Sequence, residues 1–145
     1  MYYGYSCHIL DSKNRLVIPK RFVKELSNKV YILRGYEGCL SLYDEKSFNS
    51  YIEKLSSYSF EDKNYRSLIR TALSSVTEIN IDNKNRIQIP IDLINKYNIS
   101  SSIAVVGVFD HLEIWNKEKW DEYSKTSNEE FENISQKLLG GKDHE

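Results

Sequence analysis

Two short segments, Asp11-Ser-Lys-Asn-Arg15 and Asp82-Asn-Lys-Asn-Arg86, set a carboxylate, an amine, an amide and a guanidinium at the same spacing twice in one chain. The parts have separable chemistry. Asp11 or Asp82 can accept hydrogen bonds from the loop backbone two residues on, and Asn14 and Asn85 tolerate the left-handed conformation that a tight loop needs. The same carboxylate can hold the Arg four residues later. An Arg fixed in this way presents a planar fork of donors suited to a phosphate or to the O6/N7 edge of guanine, while Lys13 and Lys84 supply less directional charge for phosphate. One isolated copy reads equally as a turn closed by an Asp–Arg ion pair. The recurrence, with Lys20, Arg21 and Lys24 close behind the first copy, favours anion binding.

The elements that must position these loops are themselves duplicated. Asp11 to Pro19 aligns with Asp82 to Pro90 at an offset of 71, with six of nine positions identical. Downstream, Cys39-Leu-Ser-Leu-Tyr-Asp-Glu-Lys-Ser-Phe48 matches His111-Leu-Glu-Ile-Trp-Asn-Lys-Glu-Lys-Trp120 at an offset of 72. Two windows in the same order at nearly the same offset identify an internal repeat. In each copy β-forming runs flank the polar loop, Ser6 to Leu10 and Leu16 to Ile18 in the first. Pro19 and Pro90 suit the first position of a short helix, with Phe22, Val23 and Leu26, or Leu93, Ile94 and Tyr97, on one face. A hairpin follows, Val30 to Leu33 and Leu40 to Tyr43 around the turn signals Gly35 and Gly38, mirrored by Ala104 to Phe109 and Leu112 to Trp115. Each copy therefore reads β-β-α-β-β.

Helical spacing also marks the appendages. Asp44 is an N-cap candidate ahead of Phe48, Tyr51, Ile52 and Leu55, and Asp62 one ahead of Tyr65, Leu68, Ile69, Ala72, Leu73 and Val76. Asn128 is a cap candidate for a last helix carrying Phe131, Ile134 and Leu138, with Gly140-Gly141 as its stop and a frayed chain beyond. The division expected is a first repeat at 1–55, a helical linker at 56–76, a second repeat at 77–125, and a C-terminal helix with an acidic tail at 126–145. The apolar stripes, Trp115, Trp120 and most of the 11 tyrosines read as core or subunit interface.

Composition bounds the function. With 145 residues, 40% hydrophobic, and 20 basic against 21 acidic side chains, the chain reads as one soluble unit whose halves share a core. The longest apolar run, Ile103 to Phe109, is broken by Gly107 and is far short of the roughly 20 residues of a membrane span. The N-terminus has no basic and apolar leader pattern. The expected compartment is cytoplasmic. Cys7 and Cys39 show no metal-ligand spacing and His8, His111 and His144 are scattered, so no metal, no cofactor and two reduced structural cysteines are expected. Charge is uneven: residues 1–36 carry seven basic and two acidic side chains, residues 116–145 five and eight. A basic head with an acidic tail can present one cationic face to a polyanion.

The paired Asp-x-Lys-x-Arg-(Leu/Ile)-x-Ile-Pro segments, the opening near Gly4 and the hairpin motif Leu-x-(Leu/Ile)-(Tyr/Trp) resemble the MraZ family, which is made of two SpoVT-AbrB-type repeats. The resemblance covers residues 1 to about 125. It implies an α+β, mainly β fold: two AbrB-like swapped-hairpin repeats sharing one β-barrel-like core, with peripheral helices. It further implies a ring-shaped homo-oligomer and a nucleoid-associated, DNA-binding transcriptional regulator. The target implied is short direct repeats in double-stranded promoter DNA of the division and cell-wall gene cluster that includes its own gene. Carried over by position, the family's Asp-x-x-x-Arg signature falls on Asp11 and Arg15, with Lys13 and Asn14 inside it, and on Asp82 and Arg86, with Lys84 inside it. Lys20 and Arg21 make the first copy the more basic; Ile91 and Asp92 replace them in the second. Asn14 and Asn85 stand where many relatives carry Gly.

Two rival functions use the same residues. Asp11 and Asp82 could hold Mg²⁺ for phosphodiester hydrolysis, but each is matched with Lys and Arg rather than with further carboxylates, and no general base is evident. No enzymatic activity is expected. An AbrB-like antitoxin or protein-interaction module, with DNA contact secondary, would keep the fold; such proteins usually carry one repeat and a disordered partner-binding tail.

Overall fold

The structure, a computed structural model, describes residues 1–140. The first copy supplies β1 (Tyr5–Ile9), β2 (Arg15–Val17), α1 (Lys20–Val23), β3 (Lys29–Arg34) and β4 (Leu40–Asp44). Helices α2 (Glu45–Leu55) and α3 (Lys63–Ser74) lead to the second copy. It comprises β5 (Thr77–Asn80), β6 (Arg86–Gln88), α4 (Ile91–Lys96), β7 (Ser102–Val108) and β8 (His111–Asn116), and α5 (Lys117–Leu139) ends the chain described.

The copies exchange strands. β1 pairs with β7 of the other copy, Cys7 opposite Ala104, and β3 pairs with β5, Val30 opposite Ile79. The hairpins β3–β4 and β7–β8 meet along β4 and β8, Leu40 opposite Ile114. The result is one antiparallel sheet in the order β1-β7-β8-β4-β3-β5, with β2 and β6 forming a separate two-stranded ribbon. Leu16 lies opposite Ile87 in that ribbon. Both point inward with Ile18 and Ile89 and pack with Val30, Ile32, Leu40, Leu42, Ile103, Val105, Leu112 and Ile114. Burial of each such side chain is worth about 1.5–3 kcal/mol, and every layer of this core draws on both copies. This is the swapped, mainly β, α+β architecture expected from the sequence.

The outer face of the sheet is covered separately. Cys39, Ala104, Val106 and Trp115 form a second buried cluster under Trp120 of α5, and α2 and α3 lie over β3 and β4. Gly107 is required here: a Cβ would stand 2.4 Å from the Tyr3 backbone nitrogen, because the N-terminal segment crosses β7 at this point and Gly107 N–H donates to the Gly4 carbonyl at 2.8 Å.

Several local expectations need correction. Pro19 and Pro90 sit one residue before their helices with extended ψ of 139° and 135°; their carbonyls accept the first helical N–H groups. Asn128 caps nothing. It lies inside α5, which begins at Lys117, so the expected division at 125/126 falls within one continuous helix, and Phe131, Ile134 and Leu138 on its distal half are exposed. Residues beyond Gly140, including the expected frayed end, lie outside the described residues. Of the tyrosines, Tyr2 and Tyr43 are buried within the chain, while Tyr5 on β1 and Tyr51, Tyr65 and Tyr123 on helices are half-buried or exposed. Cys39 is buried but Cys7 is exposed, and both are free thiols.

Candidate nucleic-acid interface

Each polar loop is closed by its own aspartate. Asp11 Oδ1 accepts the backbone N–H groups of Lys13 and Arg15, both at 2.9 Å, and its Oδ2 accepts Arg15 Nε at 2.6 Å. The second loop repeats this: Asp82 Oδ1 takes the Lys84 and Arg86 N–H groups at 2.9 Å each and Oδ2 takes Arg86 Nε at 2.8 Å. The turn between requires a left-handed residue, and Asn14 and Asn85 adopt φ of 60° and 61°. The Arg15 backbone N–H, followed by its side chain and the Lys13 N–H, holds the Asp11 carboxyl down at about 2 against partial burial. At Asp82 burial pushes upward, but the Arg86 and Lys84 bonds outweigh it and the net shift is also downward. Both carboxylates are therefore ionised at neutral pH, and each is committed to an Arg rather than open to a metal ion.

Only Nε of each Arg is bonded to Asp. Among the described residues, the terminal Nη groups of Arg15 and Arg86 have no hydrogen-bond partner, and Lys13, Lys20 and Lys84 form no ion pair. The stems are thus fixed while the donor forks stay free, an arrangement suited to a phosphate or base edge.

The strand swap brings the two loops together. β2 and β6 run side by side with Arg15 opposite Gln88 and Val17 opposite Arg86. Strand alternation sends Leu16 and Ile87 into the core and turns Arg15, Val17, Arg86 and Gln88 to the opposite face. Val17 and Gln88 are exposed. Gln88 also donates from Nε2 to the Lys13 carbonyl at 3.0 Å, tying the ribbon to the first loop. An open cleft lined by Asn14, Arg15, Asp82, Arg86 and Gln88 lies alongside.

Lys20 and Arg21 do not join it. Ile91 and Asp92, their counterparts in the second copy, line the cleft instead. Lys20 is exposed at the start of α1, and the Arg21 guanidinium packs 4.6 Å from the Phe22 ring centroid and beside Gly4. Val17 and Gln88 are residues that sequence reasoning passed over. The signal was present, since they are alternating outward positions of the duplicated strands and differ in chemistry between the copies.

The comparisons agree with the duplicated architecture. The family model described as "MraZ protein, putative antitoxin-like" matches residues 1–71 and again 72–141. A protein of Clostridium tetani named "Transcriptional regulator MraZ" is 36% identical over 138 residues, 95% of this chain and 96% of that protein. Proteins of the same name from Dictyoglomus thermophilum and Clostridium acetobutylicum are 38% and 35% identical over 128 and 127 residues, covering 88% of this chain in both cases and 88% and 89% of theirs. With both repeats matched and relatives of this similarity spanning nearly the whole sequence, the chain belongs to the MraZ family.

Proposed function

We propose that this chain is a transcriptional regulator that binds double-stranded promoter DNA through the β2–β6 ribbon and its two flanking loops. The name carried by its relatives supports the regulatory role. One observation supports the mode of binding: Arg15 and Arg86 stand on one outward face, each held at Nε by its own aspartate with its terminal donors free. A two-stranded ribbon fits the major groove, where an Arg fork reads guanine and a lysine anchors on phosphate. Lys13, Lys84, Lys20 and Arg21 supply backbone charge, and Asn14 shapes the loop that carries it.

A single contact of this kind is worth only about 1–3 kcal/mol of base discrimination. A ring-shaped homo-oligomer presenting several identical ribbons makes later contacts intramolecular, and spaced direct repeats are the matching DNA. The proposed target is such repeats in the promoter of the division and cell-wall gene cluster that includes this protein's own gene, with the protein located at the nucleoid. Among the described residues no helix is long and apolar enough to cross a membrane.

The test is a DNA-shift titration with that promoter at several salt concentrations. Saturable, repeat-dependent binding that weakens with salt and is lost in Arg15→Ala is expected. Absence of binding even at low salt would leave the protein-interaction module as the reading of the same fold.

A further inference from the structure

The chain repeats itself, so its two halves can be compared position by position. Gly35 and Gly107 are counterparts at an offset of 72, each near the end of the strand that opens its hairpin. At Gly107 the space beside the strand is filled: the backbone of Tyr2 and Tyr3 lies within 2.7 Å of where a Cβ would be. At Gly35 no such segment arrives, because helix α3 precedes β5 where an extended N-terminal segment precedes β1. A cavity of about 280 Å³ remains there, between β3–β4 and helices α2 and α3.

Its lining is mostly aromatic and aliphatic, with Arg34 the one charged residue. Tyr36, Tyr43 and Tyr51 supply rings, Leu33 and Leu68 aliphatic wall, and Ser41 a hydroxyl at the floor. Ser41 is 6% and Tyr43 7% exposed, yet among the described residues neither hydroxyl has a hydrogen-bond partner, whereas the hydroxyls of buried Tyr2 and Ser75 are both bonded. Both oxygens keep contact with the cavity space, since among the described residues no fully enclosed side-chain oxygen lacks a partner. Gly35 keeps the floor open: its φ is not left-handed, so what the position needs is space, a Cβ there coming 2.8 Å from Ser41 Oγ and from Cys39 Sγ. Burial also raises the Tyr43 phenol above its ordinary value, which keeps it a neutral donor.

We infer that the Gly35 cavity is a binding site for a small, planar aromatic molecule of about two rings, seated between the tyrosine rings with a polar edge on the Ser41 and Tyr43 hydroxyls. The size follows from volume, since an apolar cavity of about 150 Å³ holds benzene. The polar edge follows from the two open hydroxyls, and the lining offers a cation no acidic counter-charge.

The experiment is a titration of the ¹⁵N-labelled full chain with 2-naphthol, followed by amide chemical shifts, with naphthalene as the shape-matched probe lacking the hydroxyl. Saturable shifts confined to Gly35, Ser41, Tyr43 and α3 are expected, with naphthalene weaker. Ser41→Ala should weaken 2-naphthol about threefold to tenfold, as one hydrogen bond requires. Thr71→Phe, at an exposed α3 position lining the cavity, should fill the site and abolish binding while circular dichroism and melting stay unchanged. Equal binding by Thr71→Phe, or shifts only along the exposed distal half of α5, would overturn the assignment. So would concentration-dependent shifts at the cavity residues without any probe effect, which would make the cavity a contact between copies. Equal affinity for naphthalene would remove the hydroxyls from the recognition.

Discussion

The carbonyl of Asn14, in the first loop, accepts the backbone N–H of Ile89, in the second copy, at 2.9 Å, and Asn85 accepts Ile18 N–H at 2.8 Å in the reciprocal bond. Each loop is therefore closed internally by its aspartate and tied externally to the strand that leaves the other loop. The two arginines cannot be moved independently of each other, which is what a rigid two-point reading head requires.

These two asparagines hold their loops in the left-handed region. A Cβ-bearing residue without a compensating side chain costs about 1–2 kcal/mol there, whereas glycine adopts it freely. Asn14→Ala and Asn85→Ala should each lower stability in urea by about 1 kcal/mol, and Asn14→Gly should be close to neutral. An Ala variant as stable as the parent would show that the loop does not need this conformation.

Asp11 gives a pH signature. Its folded-state carboxyl is held at about 2, below the ordinary 3.8, first by the Arg15 backbone N–H and then by the other loop bonds. A depressed value means that the ionised form stabilises the fold above about pH 4 and that this contribution fades as pH falls toward 2. Asp11→Asn should melt below the parent at neutral pH, with the gap closing across that acid window. A gap that stays constant down to pH 2 would mean that the carboxylate charge is not what holds the loop.

The loop chemistry was legible because all of it is local: Asp to residues two and four ahead, Asn at the tightest point. Strand partners were less so, since alternation in β1 marks a strand but cannot show that β7 rather than β2 lies beside it. The start of α5 was legible and missed. Asn116 aligns with Asp44 in the repeat, so the helix had to begin there. The copies differ in the cap itself: Asp44 accepts Ser47 N–H at 2.8 Å, while Asn116 turns away to Ser100 and Asn98, leaving the helix start without its usual side-chain signature. The Gly35 cavity could not be read at all, because Gly35 looks like a turn residue until the chain folded against its counterpart is seen.

Val17 and Gln88 hold equivalent outward places on the ribbon but offer a methyl surface and an amide. Gln suits the N6/N7 edge of adenine and an apolar side chain the thymine methyl, with about 1–3 kcal/mol of discrimination for a good bidentate pair. On the proposed DNA-binding reading, Gln88→Leu should lose preference for adenine at one operator position while phosphate-driven affinity for unrelated DNA stays the same. Selection from a randomised operator pool measures this directly, and an unchanged base preference would take Gln88 out of the readout.

The exchanged strands carry a prediction about cooperativity. Leu16 and Ile87, at 0% and 1% exposure, come from different copies yet sit opposite each other in the ribbon over the same core. Leu16→Ala and Ile87→Ala should each cost about 2–5 kcal/mol and should do so in a single unfolding transition, because each copy keeps only its own hairpin when the other opens and loses the pairings β1–β7, β2–β6, β3–β5 and β4–β8. Hydrogen exchange makes the sharper measurement: Ile87→Ala should accelerate exchange of the Cys7 and Val30 amides in the first copy as much as that of Ala104 and Ile114 in the second. Acceleration confined to the second copy would mean that the repeats fold as separate units despite sharing one core.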